Sequence, residues 1–344
     1  MYKRQFQYSV CGENNASTNV TKDAAAAADV YMFANDQLMK LIDGGAISRL
    51  GGDIETYIRE TNSEAIVNTV TVGDAVYGVP YTANTWFMYY DKRVFTEDDV
   101  KNLDKMLEVA ASKNKKVSFK LTDAWYIASF YVGNGCTFFG DGTDESAGID
   151  FEGEKATAVT NYLIDLVNKP AYMTDDSGSG LAGLKDGSVA AFFSGTWDLS
   201  AVKEALGEEN VGIAQAPTYT LNGKEVQMKP FFGSKAVAVN KTSPNQKVAT
   251  QLALWLANED SQKTRYESRG IVPCNTKLLE SLKGDALAAV QNGPSIMQPF
   301  VSKMNKYWTP AENMGKGITS GSCTHDNAEE STVEMNKAFN TEAL

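Results

Sequence analysis

The chain has 344 residues, 32 basic against 43 acidic, for a net charge of −11. At ~150 residues per domain that length suggests two domains, and 43% hydrophobic residues are enough to bury a real core. The acidity and the lack of Lys/Arg clusters exclude a generic nucleic-acid binder, and no run approaches the ~18 consecutive apolar residues of a membrane span. Gln7–Val10 reads as a strand remnant, and Asp29–Phe33 as a strand approached by the Ala-rich run 24–28. A short helix follows, with Leu38, Leu41 and Ile42 on one face and Gly44-Gly45 as its stop. Residues 75–81 and 86–90 are β-rich runs. Thr96 with Asp99 three residues on has the form of a capping box, and Val100, Leu103, Met106, Leu107 and Ala110 continue at helical spacing.

Further along, Val159, Tyr162, Leu163, Leu166 and Val167 mark a helix stopped by Pro170. Val189–Phe193 is a buried-type strand ending in Ser194-Gly195-Thr196-Trp197, and Val211–Ala214 and Ala236–Val239 are two more strands. Ser243-Pro244 reads as an N-cap with Pro at the first helical position, placing Val248, Leu252, Trp255 and Leu256 on one packed side. The last helix covers roughly Ala328 to Phe339. Strands alternating with helices, with no repeat and no long linker, indicate an α/β architecture. Two lobes that share the chain by crossing back and forth fit that pattern.

Catalytic signals are few. There is no GxxxxGK[ST] and no GxGxxG after a strand, and Ser177–Gly180 and Asp141–Glu145 read as a surface loop and a solvated turn. The only histidine, His325, rules out chemistry that needs two; it lies in a polar stretch leading into the last helix, with Asp326 or Asn327 as N-cap. Cys11, Cys136, Cys274 and Cys323 form no CxxC pair, which argues against a structural zinc site and leaves at most two disulfides. A glycosidase-like pair among the 43 carboxylates stays open, since spacing along the chain does not reveal one.

The aromatic residues say more. Phe33, Trp125, Trp197 and Trp308 flank breaks in regular structure, and Asp36, Asp123 and Asp198 lie close to three of them. A sugar ring has an apolar face of C–H groups and a belt of hydroxyls. It is met by a flat aromatic platform with charged acceptors at the rim. Ordinary core packing is the competing reading of each ring, and Trp255, at core spacing on a helix, is read that way.

Six pieces in order carry a family resemblance. They are Ala28–Asp36 with Gly44–Ile47; Tyr77–Tyr81 followed by Tyr89–Lys92; Asp123–Tyr126; Phe193–Trp197; Phe231–Gly233 then Val239–Pro244; and Met304–Trp308. With these the chain resembles the maltose/maltodextrin-type extracellular solute-binding proteins of bacterial ABC importers, from about residue 6 to the end. The resemblance implies a type II periplasmic-binding-protein-like fold, two α/β lobes joined by several crossovers. The lobes would be 1–82 plus 234–282 and 83–233 plus 283–344. It implies sugar stacking on Phe33, Trp125, Trp197 and Trp308, with Tyr126 adjacent, and hydroxyl bonding by Asp36 and Asp123. A family Glu falls on Asn84, a basic residue on Gln37 and an Arg on Glu312, so the polar rim departs from the pattern.

The resemblance further implies a maltodextrin-like oligosaccharide as ligand, permease subunits as partners, a monomer, no cofactor, no metal and no catalysis. Another oligosaccharide is the alternative ligand; a glycoside hydrolase and an interaction module without small ligand are the rival classes. Met1–Phe6 has no signal-peptide pattern, and the family's opening strand and helix have no counterpart here. The chain is therefore expected to be truncated at its N-terminus, with its first lobe short of a strand and a helix. The complete protein is expected to be exported, periplasmic or lipid-anchored at the cell surface.

Overall fold

Two sheets organise the chain, one in each lobe. The computed structural model describes residues 5–341 apart from 292 and 300. In the first lobe the long strand Phe231–Val239 lies between two antiparallel neighbours, Val30–Ala34 and Gly78–Asn84, so that Val237 faces Met32 on one side and Val79 on the other. The short strand Ile296–Met297 joins it in parallel at Phe231 and Phe232. The second lobe has a five-stranded mixed sheet in the order Val211–Ala214, Phe87–Asp91, Val189–Ser194, Lys116–Phe119, Tyr172–Thr174. Helices cover both of its faces, which is why Phe87–Asp91 and Val189–Ser194 are apolar runs buried throughout rather than alternating ones.

Strand geometry sorts the side chains. Phe87 and Tyr89 point to one face of the second sheet, where they meet Phe192, Leu199 and Val202; Met88 and Tyr90 point to the other, joining the core of Phe119, Ile127, Phe130 and Leu163. The first lobe has its own core, built on Phe33, Leu38, Leu41, Ile58, Val79 and Val237. The apolar residues change cores between Tyr81 and Trp86, and again between Phe231 and Ala236. On the third passage Val272 already packs with Phe87 and Tyr89, ahead of the return expected near Leu282. Thr82 ties this junction together, its Oγ1 donating to the Val272 carbonyl at 2.6 Å.

Several expectations are corrected. Gln7–Val10 is not a strand: it has no ladder partner among the described residues, and Tyr8 and Val10 are fully exposed. The helix that follows, Glu13–Lys22, escaped the sequence reading because its polar sequence buries little more than Ser17 and Val20. Thr96 and Asp99 do exchange the bonds of a capping box, but on a 3-10 turn. The helix Leu103–Ser112 starts later, where Asn102 Oδ1 accepts from the amides of Asp104 and Lys105. Ser243 is not an N-cap. Its hydroxyl donates to Asp29 and accepts from the Asn245 amide, and the helix runs Gln246–Ala257. That helix buries Ala249, Ala253 and Ala257, small residues one turn apart that let it lie close to the sheet, and leaves Trp255 62% exposed. The four cysteines are free thiols.

Candidate functional site

The lobes enclose a cleft of about 620 Å³ that opens at the ends of both sheets. Its first-lobe wall grows from the strand Val30–Ala34. The chain leaves that strand in a 3-10 turn, Asn35–Gln37, which presents Asp36 and Gln37 to the cleft and turns Asn35 inward. Asn35 Oδ1 accepts from the Ser234 amide at 3.1 Å. A Cβ on Gly233 would lie 2.0 Å from that oxygen, so glycine is required there for the turn to dock. Gln37 Nε2 donates to Asp36 Oδ2 at 2.6 Å, and Ser17 Oγ donates to Gln37 Oε1 at 3.0 Å. Asp36 is thus oriented by a chain of bonds that ends on the helix Glu13–Lys22.

The junction supplies Asn84, the last residue of its strand, and Lys235, which faces Ala34 and Thr82 in the ladder. The Lys235 ammonium stands 5.4 Å from the centre of the Trp197 ring, within cation–π range.

The second-lobe wall is aromatic. Asp123 caps the helix Ala124–Gly133, its Oδ1 accepting from the Trp125 amide at 2.9 Å, while Oδ2 lies 3.3 Å from Lys120 Nζ. This cap fixes the first turn, and with it Trp125. The indole N–H of Trp125 donates to Gln298 Oε1 at 2.9 Å. Trp197 follows the end of the strand Val189–Ser194 and folds back over Gly195, where a Cβ would lie 2.2 Å from the ring; again only glycine fits. Trp125 and Trp197 stand 6.1 Å apart, centre to centre, tilted by 45°. Trp308 opens the helix Trp308–Ser320, backed by Tyr307 at 5.3 Å and Phe231 at 6.2 Å. Tyr126 borders the cleft but is largely buried, its ring stacked on Trp86 at 5.3 Å. Burial, with the charges of Asp123, Asp198 and Asp175 adding, holds its phenol far above the usual value, so it stays protonated.

Seven of the eight residues singled out in the sequence line this one cleft: Asp36, Asn84, Asp123, Trp125, Tyr126, Trp197 and Trp308. The eighth does not, and the expectation for Phe33 is corrected. It is fully buried in the first-lobe core, its ring edge 3.0 Å from where a Cβ on Gly78 would be. Asp198 turns to Ser194, whose hydroxyl donates to it at 2.5 Å, and Glu312 pairs with Lys316; neither borders the cleft. His325 lies outside as well, its ring nitrogens 2.7 Å from Asn161 Oδ1 and 2.8 Å from Asp165 Oδ1.

Three polar lining residues were missed: Lys120, Lys235 and Gln298. Lys235 had a signal, as the one charge in the nine-residue strand Phe231–Val239. Gln298 had none, since it sits in irregular chain beside Pro299.

The arrangement is suited to a ligand with flat apolar faces and a rim of hydroxyls. Indole faces meet the C–H surfaces, carboxylates accept hydroxyl protons, and amides and lysines donate to hydroxyl oxygens. Among the described residues no cluster of three or more His, Cys, Asp or Glu side chains is placed to hold a metal ion, and no helix is long and apolar enough to cross a membrane.

Comparison with known proteins points the same way. Residues 8–296 match the family described as bacterial extracellular solute-binding protein. The chain is similar to the galactooligosaccharide-binding protein of Bacillus subtilis, at 29% identity over 335 residues, covering 91% of this chain and 77% of that one. It is similar to a maltooligosaccharide ABC transporter solute-binding lipoprotein of Streptococcus pneumoniae, at 27% identity over 312 residues, covering 85% and 72%. A structure solved with acarbose is 50% identical and superposes with a TM-score of 0.92, covering 98% of this chain and 89% of that one.

Proposed function

This chain belongs to the bacterial extracellular solute-binding proteins, and on that footing we propose that it is the substrate-binding component of a carbohydrate ABC importer, taking maltooligosaccharides in the cleft between its lobes. The observation that carries this reading is the gathering of Trp125, Trp197 and Trp308 with Asp36 and Asp123 around one cleft. The acarbose-bound relative supports an α-glucan over other sugars, because acarbose mimics a maltooligosaccharide.

The ligand lies with its glucosyl faces on the three indoles and its hydroxyls toward Asp36, Asp123, Asn84 and the two lysines. The lobes move about the passages at 82–86, at 231–236 and just ahead of Val272. Closure follows from the ligand binding the closed form more tightly than the open one. No bond is broken; the sugar is passed intact to permease subunits that recognise the closed form. The protein acts as a monomer on the outer side of the cytoplasmic membrane, held there by a lipid anchor.

A second reading has its own observation: the Bacillus subtilis relative is a galactooligosaccharide-binding protein. Galactose differs from glucose in the direction of one hydroxyl, a difference that the rim must read, and Gln37 and Asn84 are where this rim departs from the maltodextrin-binding pattern.

Titration with maltose through maltohexaose, and in parallel with β-galactooligosaccharides, decides between them by intrinsic tryptophan fluorescence. A saturable change with the malto series that is lost in Trp197→Ala is the expected result. Saturation by the galacto series alone would establish the second reading. No response from a folded sample, checked by far-UV circular dichroism, would overturn both, and release of reducing ends from maltohexaose would overturn the non-catalytic role.

A further inference from the structure

Gln298 is 3% exposed, yet it borders the cleft. Its backbone is pinned to the junction between the lobes, with its amide donating to the Phe232 carbonyl at 2.8 Å. Its side chain reaches across to Trp125, whose indole N–H donates to Oε1. That bond settles which way the side-chain amide is turned. An indole nitrogen is only a donor, so the oxygen must face it and the NH2 must point elsewhere. The Nε2 atom then has no hydrogen-bond partner among the described residues, although it is buried. A buried donor without a partner costs stability, and a leucine or methionine of the same size would avoid that cost.

We propose that Gln298 is a ligand-binding residue as well as a clamp on Trp125: its Nε2 donates to an oxygen of the bound sugar. This rests on the reading of the cleft as a sugar site. The chemistry complements the rest of the wall. Asp36 and Asp123 accept protons, and so satisfy only the donor half of a sugar hydroxyl. A hydroxyl that gives its proton to a carboxylate still has lone pairs to satisfy, and a neutral NH2 group fixed beside the Trp125 platform meets them. A hydroxyl bonded in both senses is polarised, which strengthens each bond. Gln298 also sits against Phe232, in the strand that passes between the two cores, so the same residue joins that junction, the platform and the ligand.

The test is a double-mutant cycle on the full chain, read by calorimetric titration with maltotetraose. Gln298→Leu is expected to weaken binding about tenfold. Trp125→Phe keeps a ring but removes the N–H that Gln298 holds, so any clamping role is absent in that background. Gln298→Leu added to Trp125→Phe is expected to cost roughly a further five- to tenfold. An unchanged affinity in Gln298→Leu overturns the proposal. So does a loss that disappears in the Trp125→Phe background, because Gln298 then acts only through Trp125.

Thermal melting without ligand supplies a second readout. The double variant is expected to melt at or above Trp125→Phe, since leucine removes an unpaired donor. A fall of several degrees would mean that Nε2 has a structural partner, and would overturn the proposal whatever the protein binds. A wild-type chain that binds no maltotetraose would sink the sugar reading instead, and is distinguished from these outcomes by the wild-type titration itself.

Discussion

The two walls of the cleft are built on different principles. On the second-lobe side three indoles rise from rigid supports: Trp125 from a helix turn capped by Asp123, Trp197 folded onto Gly195, and Trp308 backed by Tyr307 and Phe231. On the first-lobe side no aromatic ring among the described residues lines the cleft, and Phe33 is turned into the core. What remains there is a relay of polar groups, Ser17 to Gln37 to Asp36. If the cleft is the sugar site proposed above, the second wall would hold a sugar face while the lobes are apart, and the first would add directional bonds only once it has come close. On the proposed reading, the difference would assign affinity mainly to one lobe and orientation and closure to the other.

The sharpest way to break that division is to exchange the expected consequences of two aromatic residues. Phe33→Ala empties a fully buried ring site and is expected to destabilise the fold by ~3–5 kcal/mol, with the affinity of the molecules that remain folded unchanged. Urea unfolding and calorimetric titration on the same samples measure both. Trp197→Ala should do the reverse. Trp197 is 43% exposed, so removal of its ring is expected to leave the unfolding midpoint nearly where it was, but to cost about 2 kcal/mol of binding, or ~30-fold. If Phe33→Ala weakened binding while Trp197→Ala lowered stability, the walls would have been assigned the wrong way round.

The second wall was also the more legible in the sequence, for a physical reason. Its strands are buried on both faces, so they read as continuous apolar runs, and its tryptophans follow immediately after breaks such as Ser194-Gly195. The first lobe depends on strand parity. In Val30–Ala34 the alternation places Tyr31 and Phe33 inward and Met32 outward, and a match by order of residue types carries no parity. The Gln246–Ala257 helix misled in a related way. The bulky residues suggest one face, but the buried stripe is the alanines, where close approach to the sheet contributes more than side-chain size. The relay behind Asp36 was invisible because it joins residues 17 and 37 through a helix whose sequence has no apolar periodicity to reveal it. Gln298 acts through one long side chain that spans 173 positions to Trp125, and no local pattern encodes such a contact.

Two substitutions on the first wall test whether it works as a relay. Asp36→Asn keeps the shape but removes the charge that strengthens its bonds to hydroxyls, and is expected to cost ~1.5 kcal/mol of binding, about tenfold. It should also reduce closure, measured as the contraction in small-angle X-ray scattering on saturation with maltotetraose. Ser17→Ala is the smaller and more telling change. Ser17 is fully buried and borders no part of the cleft, so its effect must arrive through Gln37. Without that hydroxyl, Gln37 is free to rotate and Asp36 loses a fixed donor at its Oδ2. The expected cost is ~0.5–1 kcal/mol, a two- to fivefold loss of affinity. Thr18→Ala is the control: its Oγ1 accepts from Lys40 on the exposed side of the same helix, so it perturbs the helix without touching the relay and should leave binding unchanged. Equal losses in the two variants would mean that the helix supports the wall merely by packing. A loss in Ser17→Ala alone, absent when Asp36 is already Asn, would mean that a hydroxyl outside the cleft orients the carboxylate inside it.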